Sequence, residues 1–512
     1  MPANRQPQTL VVTGNENRVV YSNILIGDIW LLGGQSNMEF DLERTFDGEL
    51  EIMAAENPDI RMISIPHAAS GEKVWKDFER IVEFDDFLKV YEDKGTWMRC
   101  YPDKVQKFSS LGYMFGKTLN EITKVPIGLI DVSWGGTTLE AWLSPEKLAE
   151  MPENAEMLSY WKGMVDAYNP KEDLKKQIEN WKKRNDSRKE QGQEPLPKPT
   201  EPSPSPIVNR SYPGASYNGH IAPIKGFALK GVVFHHGFNN ALGDSRPSIY
   251  AADFDGLIDD WRKTFNDEKM PFGIIELCAG GTPQTLDNFE VAMQDAAPYI
   301  KEGQYQAYLN NENVGFCCAY DQQVNWYHPQ KKLMIGVRMA RWALSEVYGL
   351  KNVVWEPARV VDVVKNDTAF IITFDKEVKG SDDRPMDGFA IAGADRHFYP
   401  TVAQYGYKAE KDDRGRAEVD KKKLVIFNPL VKHPEAVRYA WARCPMGNLV
   451  SNRIIPVPQF RTDKWEYPEG PFGDGTVMGQ HRKLMRSLPR QAMELVKTRK
   501  IQEAEYILKN NK

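Results

Sequence analysis

Ser36 sits in Gly33-Gly34-Gln35-Ser36-Asn37-Met38, just after an apolar run, where a serine can act as a nucleophile. A hydroxyl attacks an acyl carbon only if a base takes its proton and donors face the oxyanion that forms. His328 stands out among the eight histidines as that base, because it follows a buried strand and precedes the last helix of its region. The backbone N–H groups of Ser36 and Gly136 are candidate oxyanion donors, with a polar side chain from a third strand end, at His236-Gly237, as another. Asp321, at a strand end shortly before His328, either orients that histidine or is a structural turn residue. The plain alternatives are a serine that caps a helix and a histidine that is simply buried.

These residues must be carried by strands that end on one edge. Ile24 to Leu32 is short, mostly apolar and cut off by two glycines, which reads as a buried strand. Ile127 to Trp134 stops in the same way at Gly135-Gly136, and Leu229 to Phe234 stops at His235-His236-Gly237. Phe272 to Leu277 and Val314 to Tyr320 are further strands, the last ending at Asp321. Between them, stripes such as Phe108, Leu111, Phe115 and Leu119, or Phe254, Leu257, Ile258 and Trp261, have helical spacing. The last stripe, Leu333 to Val347, stops at Gly349. Alternation of this kind predicts an α/β fold with a mostly parallel sheet covered by helices on both faces. In such sheets ligands bind beyond the carboxyl ends of the strands.

Other segments depart from that pattern. Residues 1–22 read as a lead-in of strand, and 39–100 as a loop-rich excursion. About 150–210 reads as an insertion: a charged helix near Leu174 to Arg188, anchored by Ile178 and Trp181, then a proline-rich linker. The α/β domain is expected over 23–350. From about 351 to 465 the period changes to two, with a hairpin at Asn366-Asp367, which predicts a small all-β domain. Residues 466–512 read as a linker and a terminal helix carrying Met493, Leu495, Ile501, Ala504 and Leu508.

Composition excludes several classes. At about 150 residues per domain, 512 residues imply roughly two to four domains. A formal charge of −5 offers no basic field for nucleic acid. Five scattered cysteines without a CxxC pair argue against a disulfide framework or structural zinc. No apolar run approaches the roughly 18 residues of a membrane helix, and Met1 to Gln8 lacks a signal-peptide core. Oligomeric state is not legible in the chain.

The motifs also resemble a known family. Gly33 to Met38 is similar to the nucleophile block of sialate O-acetylesterases, a carbohydrate-esterase branch of the SGNH hydrolases. Pro126 to Thr137 with Glu140 and Trp142, then Tyr217 to Pro223 and Gly231 to Ala241, resemble later blocks in the expected order. His328-Pro329 with Lys331 or Lys332 matches the last, and segments at 388–395, 437–441 and 460–463 resemble the C-terminal β region. The resemblance implies an SGNH-hydrolase-like (flavodoxin-like) core and a serine esterase acting, with no metal or organic cofactor, on acetylated glycans or small acyl sugars. Catalysis would fall to Ser36 and His328, with Gly135, Gly136, His236, Asn240 and Gln35 around the oxyanion and substrate. It also implies a bacterial glycan-degrading setting and a periplasmic or secreted location.

Two departures from the family pattern stand out. Where the family reads Gln-Gly-Glu-Ser-Asn, this chain has Phe238 in place of the acid and His236 in place of the glutamine. The aspartate that many SGNH enzymes carry three residues before the histidine is Asn325. The competing expectation is therefore an impaired esterase fold that binds glycans or acts as a scaffold.

Overall fold

The computed structural model describes residues 2–72, 95–242, 246–412, 414–451, 455–467 and 469. The terminal helix expected near Met493 and most of the preceding linker lie outside the described residues.

The chain opens with a two-stranded ribbon, β1 (Asn4–Thr13) and β2 (Arg18–Ile26), which leads into β3 (Asp28–Gly34). The expected α/β core follows. Its sheet is completed by β4 (Asn57–Ser64), β5 (Met98–Cys100), β6 (Ile127–Asp131), β7 (Gly231–His235), β8 (Phe272–Ile275) and β9 (Val314–Cys317). The strand order is β5-β4-β6-β3-β7-β8-β9, parallel except for the edge strand β5. β4 corrects the reading of 39–100 as loop: its paired buried residues Asp59-Ile60 and Met62-Ile63 follow no strict alternation, so its period is hard to recognise. β3 is the central strand from which the chain first winds one way and then the other. Its end is therefore a switch point, with β6 and β7 delivering their loops on either side.

Side-chain alternation along β3 explains the two-sided core. Trp30 and Leu32 face one layer, where they meet the helices α2 (Ser110–Thr123) and α6 (Leu333–Trp342). Leu31 faces the other layer, built from α4 (Tyr250–Thr264) and α5 (Ala297–Asn310). Trp30 meets Phe115 edge-on at 5.0 Å.

In the insertion, α3 (Pro170–Glu190) buries none of its residues, as its charged composition predicts. The proline-rich return packs along it, with the Trp181 indole donating to the Leu196 carbonyl at 2.8 Å.

The C-terminal part is all β. Val360–Lys365 and Ala369–Phe374 form the expected hairpin within a seven-stranded antiparallel sheet. Its loops lie against the α/β core. Lys301 on α5, almost fully buried, donates to the carbonyls of Ala442 and Arg443 at 3.1 and 3.0 Å.

Candidate active site

The two glycines after Leu32 let the backbone turn where little else fits. Gly34 has φ +134°, and a Cβ there would collide with the His235 carbonyl. The turn starts the short helix α1 (Ser36–Glu39), which presents Ser36 at the carboxyl edge of the sheet. From the far side, the loop after β9 returns His328. Its Nε2 lies 2.8 Å from Ser36 Oγ, within hydrogen-bond distance. Trp326 stands edge-on to the imidazole at 5.1 Å, and Phe40 lies 5.9 Å away, so the ring is confined on two sides.

The second loop has one N–H bonded and one free. Gly135 donates its N–H to Glu39 Oε2 at 2.9 Å, which holds it beside Ser36. Glu39 is in turn 2.9 Å from His67 Nε2, and the His67 ring stacks on Trp134 at 4.8 Å. Gly136, at φ +80°, is more exposed, and neither its N–H nor that of Ser36 donates to a protein acceptor among the described residues.

Gln35 organises the third loop. Its Oε1 accepts from the N–H groups of Gly237 and Phe238 at 2.8 and 2.9 Å, and its Nε2 donates to Asn239 Oδ1 at 3.0 Å. Asn239 donates onward to the Gly136 carbonyl at 3.0 Å. One amide chain thus joins all three strand ends. Asn239 went unnoticed in the sequence because its neighbour Asn240 aligns with the family's asparagine. Asn240 is instead buried, accepting from the Leu139 N–H and donating to Glu140.

Two further contributors come from the chain just past the insertion helix. Arg210 Nη1 donates to the Gly135 carbonyl at 2.8 Å, and Ser211 Oγ to the Gly136 carbonyl at 3.1 Å. Their position beside the proline-rich linker gave no motif signal.

His236 is buried with Nε2 3.4 Å from Thr137 Oγ1, and burial pushes its pKa down to about 3. It therefore stands as a neutral ring behind the second loop. His235 is held neutral for the same reason. Asp321 is not brought to His328: its carboxylate takes two hydrogen bonds from Arg338, at 2.7 and 2.5 Å, and one from Gln322. Phe238 points toward Tyr327 and lies beneath the Arg443 guanidinium, 4.9 Å from its ring centre. Trp134 and Trp142 are buried in the core. No group of three or more metal-ligating side chains occurs among the described residues, and no described helix is long and apolar enough to cross a membrane.

Comparison with known proteins agrees with the motifs. Residues 26–167 match the family model described as a carbohydrate esterase, sialic acid-specific acetylesterase. The sialate O-acetylesterase of Mus musculus is 25% identical over 375 residues, covering 70% of this chain and 63% of the mouse protein. That of Homo sapiens is 26% identical over 352 residues, covering 65% of this chain and 56% of the human protein. The chain thus spans about 56–63% of the length of these relatives. A carbohydrate acetylesterase from Xanthomonas citri, 24% identical, shares the fold with a TM-score of 0.67 over 90% of this chain and 86% of its own. In its motifs, its family-model match and its curated relatives, the chain resembles the sialate O-acetylesterases.

Proposed function

We propose that the chain is a carbohydrate O-acetylesterase that works through a serine acyl-enzyme. The observation that carries this reading is the 2.8 Å contact between Ser36 Oγ and His328 Nε2, beside two unused N–H groups. Ser36 Oγ attacks the acetyl carbonyl while His328 Nε2 takes its proton. The carbonyl oxygen becomes an oxyanion facing the N–H groups of Ser36 and Gly136. Collapse of the tetrahedral intermediate expels the sugar oxygen, which recovers the proton from His328. Water then attacks the acetyl-serine, again giving its proton to His328; collapse breaks the bond to Ser36 Oγ, which recovers that proton, and acetic acid leaves. No step uses a metal or cofactor.

The test is hydrolysis of 4-nitrophenyl acetate, whose leaving group needs no protonation, followed by acetate release from O-acetylated sugars. The wild type should turn over both, while Ser36→Ala and His328→Ala fall to background. The commitment of Asp321 to Arg338 favours a second reading, an esterase fold that binds glycans without hydrolysing them. Equal rates for the wild type and Ser36→Ala would decide for that second reading.

A further inference from the structure

Lys332 precedes α6 and is completely buried, yet no carboxylate lies within ion-pair distance of it among the described residues. Its ammonium donates to Asn37 Oδ1 at 2.5 Å. The same amide donates through Nδ2 to the Tyr327 carbonyl at 3.2 Å. Asn37 directly follows Ser36, and Tyr327 directly precedes His328. A lysine–asparagine–carbonyl bridge therefore spans the serine turn and the histidine loop, next to the Ser36–His328 contact itself. The ammonium also lies 5.6 Å from the ring of Phe40, which packs near His328.

Such a group is costly to keep. Moving an ammonium out of water without a paired anion opposes folding, and an apolar side chain of similar length would fill the space more cheaply. Burial also pulls the Lys332 pKa down to about 8, with nearby Cys278 opposing that shift. A charge held at this cost, with its hydrogen bond directed at Asn37, makes sense if the bridge serves the site rather than the fold.

We propose that Lys332 is a positioning residue which, through Asn37, holds the Ser36 turn and the His328 loop at hydrogen-bond distance from each other. The proposal rests on the esterase reading for its activity readout. A misplacement of about 1 Å can cost on the order of 100-fold in rate. Lys332→Met and Asn37→Leu should therefore each lower kcat on 4-nitrophenyl acetate by about 10- to 100-fold, with KM changed less than about threefold. The double variant should be no worse than the poorer single, because both break one bridge. The double variant, which removes the charge and its amide acceptor together, should melt near the wild-type temperature, which a merely structural lysine would not allow.

Wild-type kcat in Lys332→Met, multiplicative losses in the double variant, or losses that track a lower melting temperature would each overturn the proposal. If Lys332→Met does not fold, Asn37→Asp decides. It keeps a partner for the ammonium but removes the donor to Tyr327, so kcat should fall at unchanged melting temperature, and full activity would refute the bridge. A separate readout is phosphonylation of Ser36 by a fluorophosphonate, in which Oγ displaces fluoride and His328 takes the proton, followed by intact mass. Labelling slowed about 10- to 100-fold in Lys332→Met, with no ester hydrolysis by the wild type, would sink the esterase reading and keep the bridge. Equal labelling rates would sink the bridge.

Discussion

Asp321 turns both carboxylate oxygens toward Arg338, at 2.7 and 2.5 Å, so the acid nearest His328 upstream in the chain is spent on a helix of the core. Arg338 also donates to the Cys318 carbonyl at 3.0 Å, which fixes the path of the chain leaving β9. This pair is structural. Asp321→Asn should leave kcat on 4-nitrophenyl acetate within about threefold of wild type while costing about 1–3 kcal/mol of stability through the lost charged hydrogen bonds. Parallel kinetics and urea unfolding check both halves, and a kcat loss of 100-fold or more would return Asp321 to the reaction.

Under the esterase reading, the contact between Ser36 and His328 makes the two residues one functional unit. Each single alanine variant should lower kcat by at least about 10³-fold, and the double variant should lose little more. Steady-state rates for the four proteins test this, since independent contributions would multiply.

Gln35 satisfies two backbone donors of the third loop and reaches the second loop through Asn239. Gln35→Leu leaves the Gly237 and Phe238 N–H groups without acceptors, at a cost of about 2–3 kcal/mol. It should also depress kcat, because Gly136 loses its tie to the serine loop. Unfolding curves and the rate on 4-nitrophenyl acetate measure the two effects, and a fall in stability alone would limit Gln35 to the fold.

The buried pair His235 and His236 sets a pH dependence. Burial lowers both pKa values from the ordinary 6.5 to about 3. Between those values the unfolded chain binds protons that the folded chain refuses, so these sites support the fold above about pH 6.5 and lose that support as pH falls toward 3. The slope is about 1.4 kcal/mol per pH unit for each site. His236→Gln, which carries no titrating group, should flatten the dependence by about one site's worth between pH 6 and 4. Urea midpoints across that range read it directly, and an unchanged slope would contradict a neutral His236.

Much of the fold was legible because it is written in local order. Apolar runs ending in paired glycines marked β3 and β6, helical stripes marked α2, α4 and α6, and the hairpin at Asn366-Asp367 carried its own turn chemistry. α5 was missed for a physical reason. Its buried face includes Lys301 and Gln304, whose polar groups are satisfied by the Ala442, Arg443 and His236 carbonyls, so no apolar stripe identifies it. β4 was missed because its buried residues follow no simple period.

For the site, the sequence alone determined which residue types could react, since Ser36 and His328 sit beside turns and strand ends that local spacing reveals. Tertiary structure decided their partners. Arg338 takes Asp321 because α6 passes the end of β9, Asn239 rather than Asn240 faces Gly136, and Lys332 meets Asn37 across hundreds of residues of chain. Hydrogen bonds act over about 3 Å in space, and no local pattern records which distant donors the folded backbone will bring within that reach.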